Sequence, residues 1–167
     1  PWVSAHVTEL NTPHPIGTGE HDYALLMITG SATAAPLPAQ FPSLQYDTRE
    51  AIGFTSDQVL AAGYPAEFVG GFQTENNLFA GTSITTIDAL LTFSGGSVDV
   101  MSLGSTIEAQ GGSSGGAVVN PWGRLIGLIT TTSEGATTAD RDLHALTLSY
   151  IDRDLRAQTG SGLSEML

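Results

Sequence analysis

Every apolar run in this 167-residue chain is short, and most end within a few residues in glycine or proline, of which there are 20 and 8. Val3, Ala5 and Val7 alternate with Ser4, His6 and Thr8, the period-two pattern of a half-buried strand. Tyr23–Ile28 and Gln58–Gly63 read as continuous buried strands, the second closed by the turn residues Gly63-Tyr64-Pro65. Leu78–Ile87 is rich in β-branched and aromatic residues and reads as a further strand. Leu90–Phe93 and Val98–Met101 flank Ser94-Gly95-Gly96-Ser97 as a hairpin, and Ala117–Val119 and Leu125–Thr130 flank Asn120–Gly123 as another. One helix is predicted, capped by Ser149, with Ile151 and Leu155 as i,i+4 partners and Gly160 beyond its end. Such a chain folds as antiparallel β closed into a barrel or sandwich, with a C-terminal helix.

Composition narrows the partners. Hydrophobic content of 41% with 13% charged residues belongs to a globular domain with a real core. Seventeen acids face five basic residues, all arginine, for a formal charge of -12. A surface of that sign is unsuited to nucleic acid or an anionic membrane, and no apolar run reaches the length of a membrane span. Without cysteine there is no disulfide, zinc-thiolate site or thiol nucleophile. The histidines and acids show no metal-ligand spacing, and no phosphate-binding glycine fingerprint opens a helix, so no cofactor is expected. Abundant acids without lysine suit a salty or acidic exterior.

The stretch with chemical content is Gln110-Gly111-Gly112-Ser113-Ser114-Gly115-Gly116-Ala117. Alone it reads as a Gly/Ser turn between strands. It also has what acyl transfer needs: a serine, Ser114, among glycines that let backbone N–H groups and a substrate carbonyl approach closely.

Four blocks in order weigh between these readings. Gly112–Val119 followed by Gly123–Thr130 resembles the nucleophile region of the chymotrypsin-like serine proteases, G-[DN]-S-G-G-P-L-V, a turn, then G-I-V-[ST]. His21-Asp22-Tyr23-Ala24-Leu25-Leu26 is similar to that family's [DN]-D-[IL]-A-L-L. Ala62-Gly63-Tyr64-Pro65 resembles the A-x-G-[YN]-P that opens its second barrel, and Ala145–Ser149 with the helix after it resembles its closing strand and helix. Lack of cysteine brings the chain nearer to the bacterial HtrA-like and glutamyl-endopeptidase-like branches.

The resemblance implies a double antiparallel β-barrel with a C-terminal helix. Residues 1–50 are then what remains of an incomplete N-terminal barrel with the inter-barrel connection, 51–160 the C-terminal barrel and helix, and 161–167 a mobile tail. It implies a serine endopeptidase, extracellular or periplasmic, acting on peptides or proteins. Ser114 is its nucleophile, Asp22 orients a histidine, and the N–H groups of Gly112 and Ser114 form the oxyanion hole. Thr130, Thr131 and Thr132 line the substrate-binding strand. Glu108, six positions before the nucleophile, lies at the base of the primary pocket or faces solvent, and His144 lies near that pocket. Ser113 stands where animal members carry an aspartate that pairs with a new N-terminus, so that activation switch is not expected.

The histidine departs from the pattern. Val3-Ser4-Ala5-His6 matches [ST]-A-x-H, but His6 stands only sixteen positions before Asp22, too few for the intervening strands. His14-Pro15 resembles the H-P loop that precedes the aspartate strand, and His21 reads as a loop residue. The expectation is that the general base lies upstream of Pro1, or on a companion N-terminal segment, and that the chain alone is nearly inactive. The alternative is an inactive trypsin-like scaffold that binds peptides or proteins; a β-sandwich with a plain Gly/Ser turn fits the ordered blocks less well.

Overall fold

The computed structural model describes residues 2–6, 20–31, 35–64, 80–93, 95–106, 112–132 and 142–167. The chain divides into two compact units, Pro1–Ser43 and Leu44–Leu167. In the first, β1 (Trp2–His6) pairs antiparallel with β2 (Leu26–Ser31), with a register irregularity between Val3 and Ser4. The run expected to be a buried strand from Tyr23 becomes strand only at Leu26, and Leu26, Met27 and Ile28 are exposed. A two-stranded ribbon has no second layer to cover such side chains.

The second unit holds β3 (Gln58–Gly63), β4 (Gly81–Thr86), β5 (Ala89–Leu91), β6 (Val100–Ser102), β7 (Ala117–Val119), β8 (Leu125–Thr132) and β9 (Leu143–Thr147). They form one antiparallel sheet in the order β4-β3-β7-β8-β9-β6-β5. Its two edge strands are consecutive in sequence, joined only by Ile87 and Asp88. Laid flat, seven strands would hold those edges about 29 Å apart, whereas the three residue steps from Thr86 to Ala89 span about 10 Å. The sheet must therefore curl until its edges meet. Thr85 Oγ1, donating to the Leu103 carbonyl at 2.8 Å, and Asp88 N–H, donating to the Ser102 carbonyl at 2.8 Å, tie the seam.

Inside the curl lie Val59, Ile87, Met101, Leu103, Val118, Ile126, Ile129 and Leu143. β3 alternates, with Val59, Ala61 and Gly63 buried and Leu60 facing out, so the continuous apolar run predicted as fully buried is buried on one face only. Both predicted hairpins form, β5–β6 and β7–β8. Asp99 organises the first from within, accepting from Phe93 N–H at 2.8 Å, Ser97 Oγ at 2.8 Å and Thr92 Oγ1 at 3.0 Å, and pairing with Arg153. Burial raises its pKa, but those hydrogen bonds and the Arg153 charge outweigh it and hold the carboxyl below its ordinary value.

Arg153 belongs to α1 (Leu148–Thr159), which buries Leu148, Ile151 and Leu155. Its cap is Thr147 rather than Ser149: Thr147 keeps the extended conformation of β9, and its Oγ1 accepts from Tyr150 N–H at 3.1 Å. Ser149 is buried, with its hydroxyl bonded to that of Thr147. Gly160, at φ 83°, ends the helix as predicted. Within the segment 161–167 the chain folds back as α2 (Leu163–Met166). Asp152 takes Leu163 N–H at 2.8 Å, Arg156 pairs with both Asp152 and Glu165, and Leu163 is buried. Among the described residues, no helix is long and apolar enough to cross a membrane.

Candidate active site

The glycine-rich loop before β7 is stitched to β8 by main-chain bonds. Gly115 N–H donates to the Ile129 carbonyl at 2.7 Å, Ile129 N–H returns to the Gly116 carbonyl at 2.8 Å, and Gly116 N–H closes a turn onto the Ser113 carbonyl at 2.9 Å. Gly112 and Gly115 sit at φ 95° and 84°, a region costly for residues with a Cβ. Gly116 is required for another reason: a Cβ there would stand 2.5 Å from the Ala62 carbonyl oxygen and 2.8 Å from that of Ser113.

This folding turns the two serines opposite ways. Ser113 is buried, and its Oγ has no hydrogen-bond partner among the described residues. Ser114 is exposed, and its Oγ donates to the Thr130 carbonyl at 2.8 Å. Among the described residues, neither Gly112 N–H nor Ser114 N–H donates to a main-chain carbonyl. The exposed Ser114 hydroxyl thus neighbours in sequence two backbone N–H groups that no described main-chain carbonyl takes.

β8 supplies the neighbouring surface. β7 pairs with it only as far as Leu128, opposite Ala117, whereas β9 continues along its other side to Thr132. Thr130, Thr131 and Thr132 therefore carry a strand edge without a partner strand among the described residues, the arrangement that accepts an extended peptide. Thr130 itself is buried. Ser114, Gly112 and Thr130–Thr132 thus lie on one continuous piece of structure.

Asp22 is an exposed residue of the first unit, four positions before β2 begins. His6 sits opposite Leu26 in the β1–β2 ladder rather than opposite Asp22. His21 is exposed, and Glu108 and His14 lie outside the described residues. His144, on β9, pairs with Ser102 of β6 on one side and Thr131 on the other. Its Nε2 lies 3.0 Å from Asp142 Oδ2, and Asp142 also accepts from Ser102 Oγ at 2.9 and 2.8 Å through its two oxygens. Ser102 and Asp142 went unmarked in the sequence because forty positions separate them and only the β6–β9 pairing joins them.

A family model for the trypsin-like peptidase domain matches residues 2–128. A search of curated protein sequences found no match. Among solved structures the chain is similar to kallikrein-related peptidase 10, at 22% identity and a TM-score of 0.53, over 86% of this chain and 70% of that one. At that identity the likeness speaks for the fold, a chymotrypsin-like β-barrel with a C-terminal helix. The matched span takes in both the aspartate before β2 and the serine loop stitched to β8; a peptidase hydrolase, the chain belongs to the trypsin-like peptidase family.

Proposed function

We propose that this protein is a serine endopeptidase with Ser114 as its nucleophile. The observation that carries the reading is the position of Ser114: an exposed hydroxyl in a glycine-rich loop, bonded to the Thr130 carbonyl on a stretch of β8 whose other edge has no partner strand among the described residues. An extended substrate adds to that edge at Thr130–Thr132, and its scissile carbonyl oxygen accepts from Gly112 N–H and Ser114 N–H. Ser114 Oγ leaves the Thr130 carbonyl, passes its proton to a histidine and bonds to the carbonyl carbon. That histidine, oriented by Asp22, returns the proton to the leaving amine; water then hydrolyses the acyl-enzyme by the same steps reversed. By the family resemblance Glu108 stands at the position that lies at the base of the primary pocket, where an acid attracts a basic substrate side chain, and His144 at one near the same pocket. The catalytic histidine is carried upstream of Pro1 or on a companion segment, the reading that the sixteen-residue spacing of His6 from Asp22 supports. The acidic, lysine-free composition supports work outside the cytoplasm, extracellular or periplasmic, and the absence of cysteine supports a place near the bacterial HtrA-like or glutamyl-endopeptidase-like branches.

The test is covalent labelling by a fluorophosphonate, with and without added imidazole as a diffusible base. Slow labelling that imidazole accelerates, and that Ser114→Ala abolishes, is the expected result. Rapid labelling of Ser114 without imidazole would sink the assignment of the histidine to a segment outside these residues. No labelling under either condition, together with saturable peptide binding, would replace the peptidase by a binding scaffold.

A further inference from the structure

A second concave site lies in the same unit as Ser114, at the far end of β7. Ser114 precedes this strand and Asn120 follows it, so the six residue steps between them span up to about 20 Å. There Arg49, Arg124, Ile52, Phe54, Asn120 and Trp122 line a basin of about 450 Å³, within the range of roughly 300–1,000 Å³ typical of small-ligand sites. Phe54 and Trp122 are 57% and 74% exposed, large rings left in water beside two of the chain's five arginines.

Charge decides what such a basin admits. Arg153 and Arg156 are spent on Glu50, Asp99, Asp152 and Glu165. Arg49 is held by Asp47, with Nε and a terminal nitrogen on the carboxylate at 2.9 and 2.7 Å. Arg124 is exposed; the Asp47 carboxylate that holds Arg49 is near enough to feel its charge, but among the described residues no carboxylate forms a salt bridge with Arg124. On a surface carrying seventeen acids, a guanidinium in that state accommodates one negative charge, while a polyacidic segment is repelled by its surroundings.

Asn120 points to a ligand independently. It is 5% exposed, and its Oδ1 accepts from Trp122 N–H at 3.1 Å and Arg124 N–H at 3.0 Å. Two N–H donors on that atom fix the orientation of the amide, so Nδ2 is a donor, and it is buried without a partner among the described residues. A donor in that condition costs about 1–3 kcal/mol unless something accepts from it. Asn120 also lines a narrower recess of about 60 Å³ that continues inward against Val59, Ile87 and Ile126.

We propose that this basin binds the free α-carboxyl end of a peptide whose last side chain is aromatic or apolar. The carboxylate pairs with Arg124, the terminal side chain lies against Trp122 and Phe54, and a ligand oxygen accepts from Asn120 Nδ2. Asp57, whose Oδ2 takes Phe54 N–H at 2.9 Å, also lines the basin and has its other oxygen for a peptide N–H. A chain end places charge and apolar group on a single Cα, which suits a compact basin; an Asp or Glu within a chain separates them. The proposal does not depend on catalysis at Ser114.

Calorimetric titration of the 167-residue chain tests it, with Ser114→Ala present to prevent turnover. Three peptides are compared: acetyl-Gly-Gly-Phe with a free C-terminus, its C-terminal amide, and acetyl-Gly-Asp-Phe amide. The free acid binds saturably at one site, and the amide about tenfold more weakly or worse, the value of a charge-assisted hydrogen bond. Arg124→Gln brings the free acid down to the amide's affinity and leaves the amide unchanged. Equal affinity for acid and amide, tighter binding of the Asp peptide, undiminished binding by Arg124→Gln, or no saturable heat at millimolar peptide would each overturn it. The acid-against-amide comparison needs no substitution in the basin and stands even if Arg124→Gln fails to fold.

Discussion

Two adjacent glycines of the serine loop are glycine for different physical reasons, and replacing each by alanine separates them. At Gly116 a Cβ would stand 2.5 Å from the Ala62 oxygen, 2.8 Å from the Ser113 oxygen and 2.9 Å from Ile129 Cδ1, where ordinary contact is 3.4–4 Å. Only the Ile129 methyl can give way by a rotamer change; the oxygens belong to β3 and to the serine loop itself. Overpacking of this kind costs about 1–3 kcal/mol, and two backbone neighbours put Gly116→Ala at the upper end. At about 2–4 °C per kcal/mol for a chain of this size, its melting temperature falls by about 5–10 °C. Gly115 has φ 84° but nothing within 4 Å of a Cβ, so Gly115→Ala carries only left-handed strain, about 1 kcal/mol and about 2–4 °C. Scanning calorimetry of the two variants beside the parent reads the difference. If Gly115→Ala proves as destabilising as Gly116→Ala, steric exclusion by the loop is not what fixes Gly116.

Other substitutions probe the supports of the barrel. Asp99→Asn removes a buried carboxylate held by three hydrogen bonds and Arg153, and costs about 2–3 kcal/mol at neutral pH. The folded-state pKa of Asp99 lies below its unfolded value, so its contribution is complete above about pH 4 and disappears as pH falls through the folded value. Melting temperatures of parent and variant should therefore converge in acid; a gap undiminished at about pH 2 contradicts the assignment. Thr147→Ala removes the α1 cap and the hydroxyl bond to the Val98 carbonyl, a loss of about 1–2 kcal/mol readable in urea. Asp152→Ala unties Leu163 N–H and one side of Arg156, and limited proteolysis should then cut between Gly160 and Leu167 before the rest of the unit opens.

What could be read from the sequence was local. Gly95-Gly96 and Asn120–Gly123 announce their hairpins because positive φ demands particular residues, and Gly160 marks the end of α1 for the same reason. Ser114 and Gly112 could be singled out as candidates because acyl transfer restricts both the side chain and the backbone around it. The α1 cap was missed by two positions because Thr147 and Ser149 are both good caps, and only the end of β9 decides between them. Closure into a barrel was expected, but not which strands form the seam, since the pairings that make β4 and β5 the edges join residues far apart in sequence. Asn120 read as an ordinary turn residue; its Nδ2, without a partner among the described residues, matters only once Ile126 and Val59 line the recess beside it, and Arg49 reaches the same basin from about seventy positions away.

The bond from Ser114 Oγ to the Thr130 carbonyl bears on how the proposed enzyme is limited. A main-chain carbonyl accepts a hydrogen bond but is too weak a base to take the proton, so the contact orients the hydroxyl without activating it. Breaking it for attack forfeits about 0.5–1.5 kcal/mol, roughly two- to tenfold in rate. Loss of a triad member costs about 10⁴- to 10⁶-fold in enzymes of this chemistry. The base, not the resting position of the serine, therefore governs the rate. Imidazole should accelerate fluorophosphonate labelling of Ser114 in proportion to the concentration of its neutral form, with the pH profile of free imidazole. A profile with the pKa of a protein group instead would place the base within these 167 residues, and His6, whose strand ends beside β2, would be the first to replace.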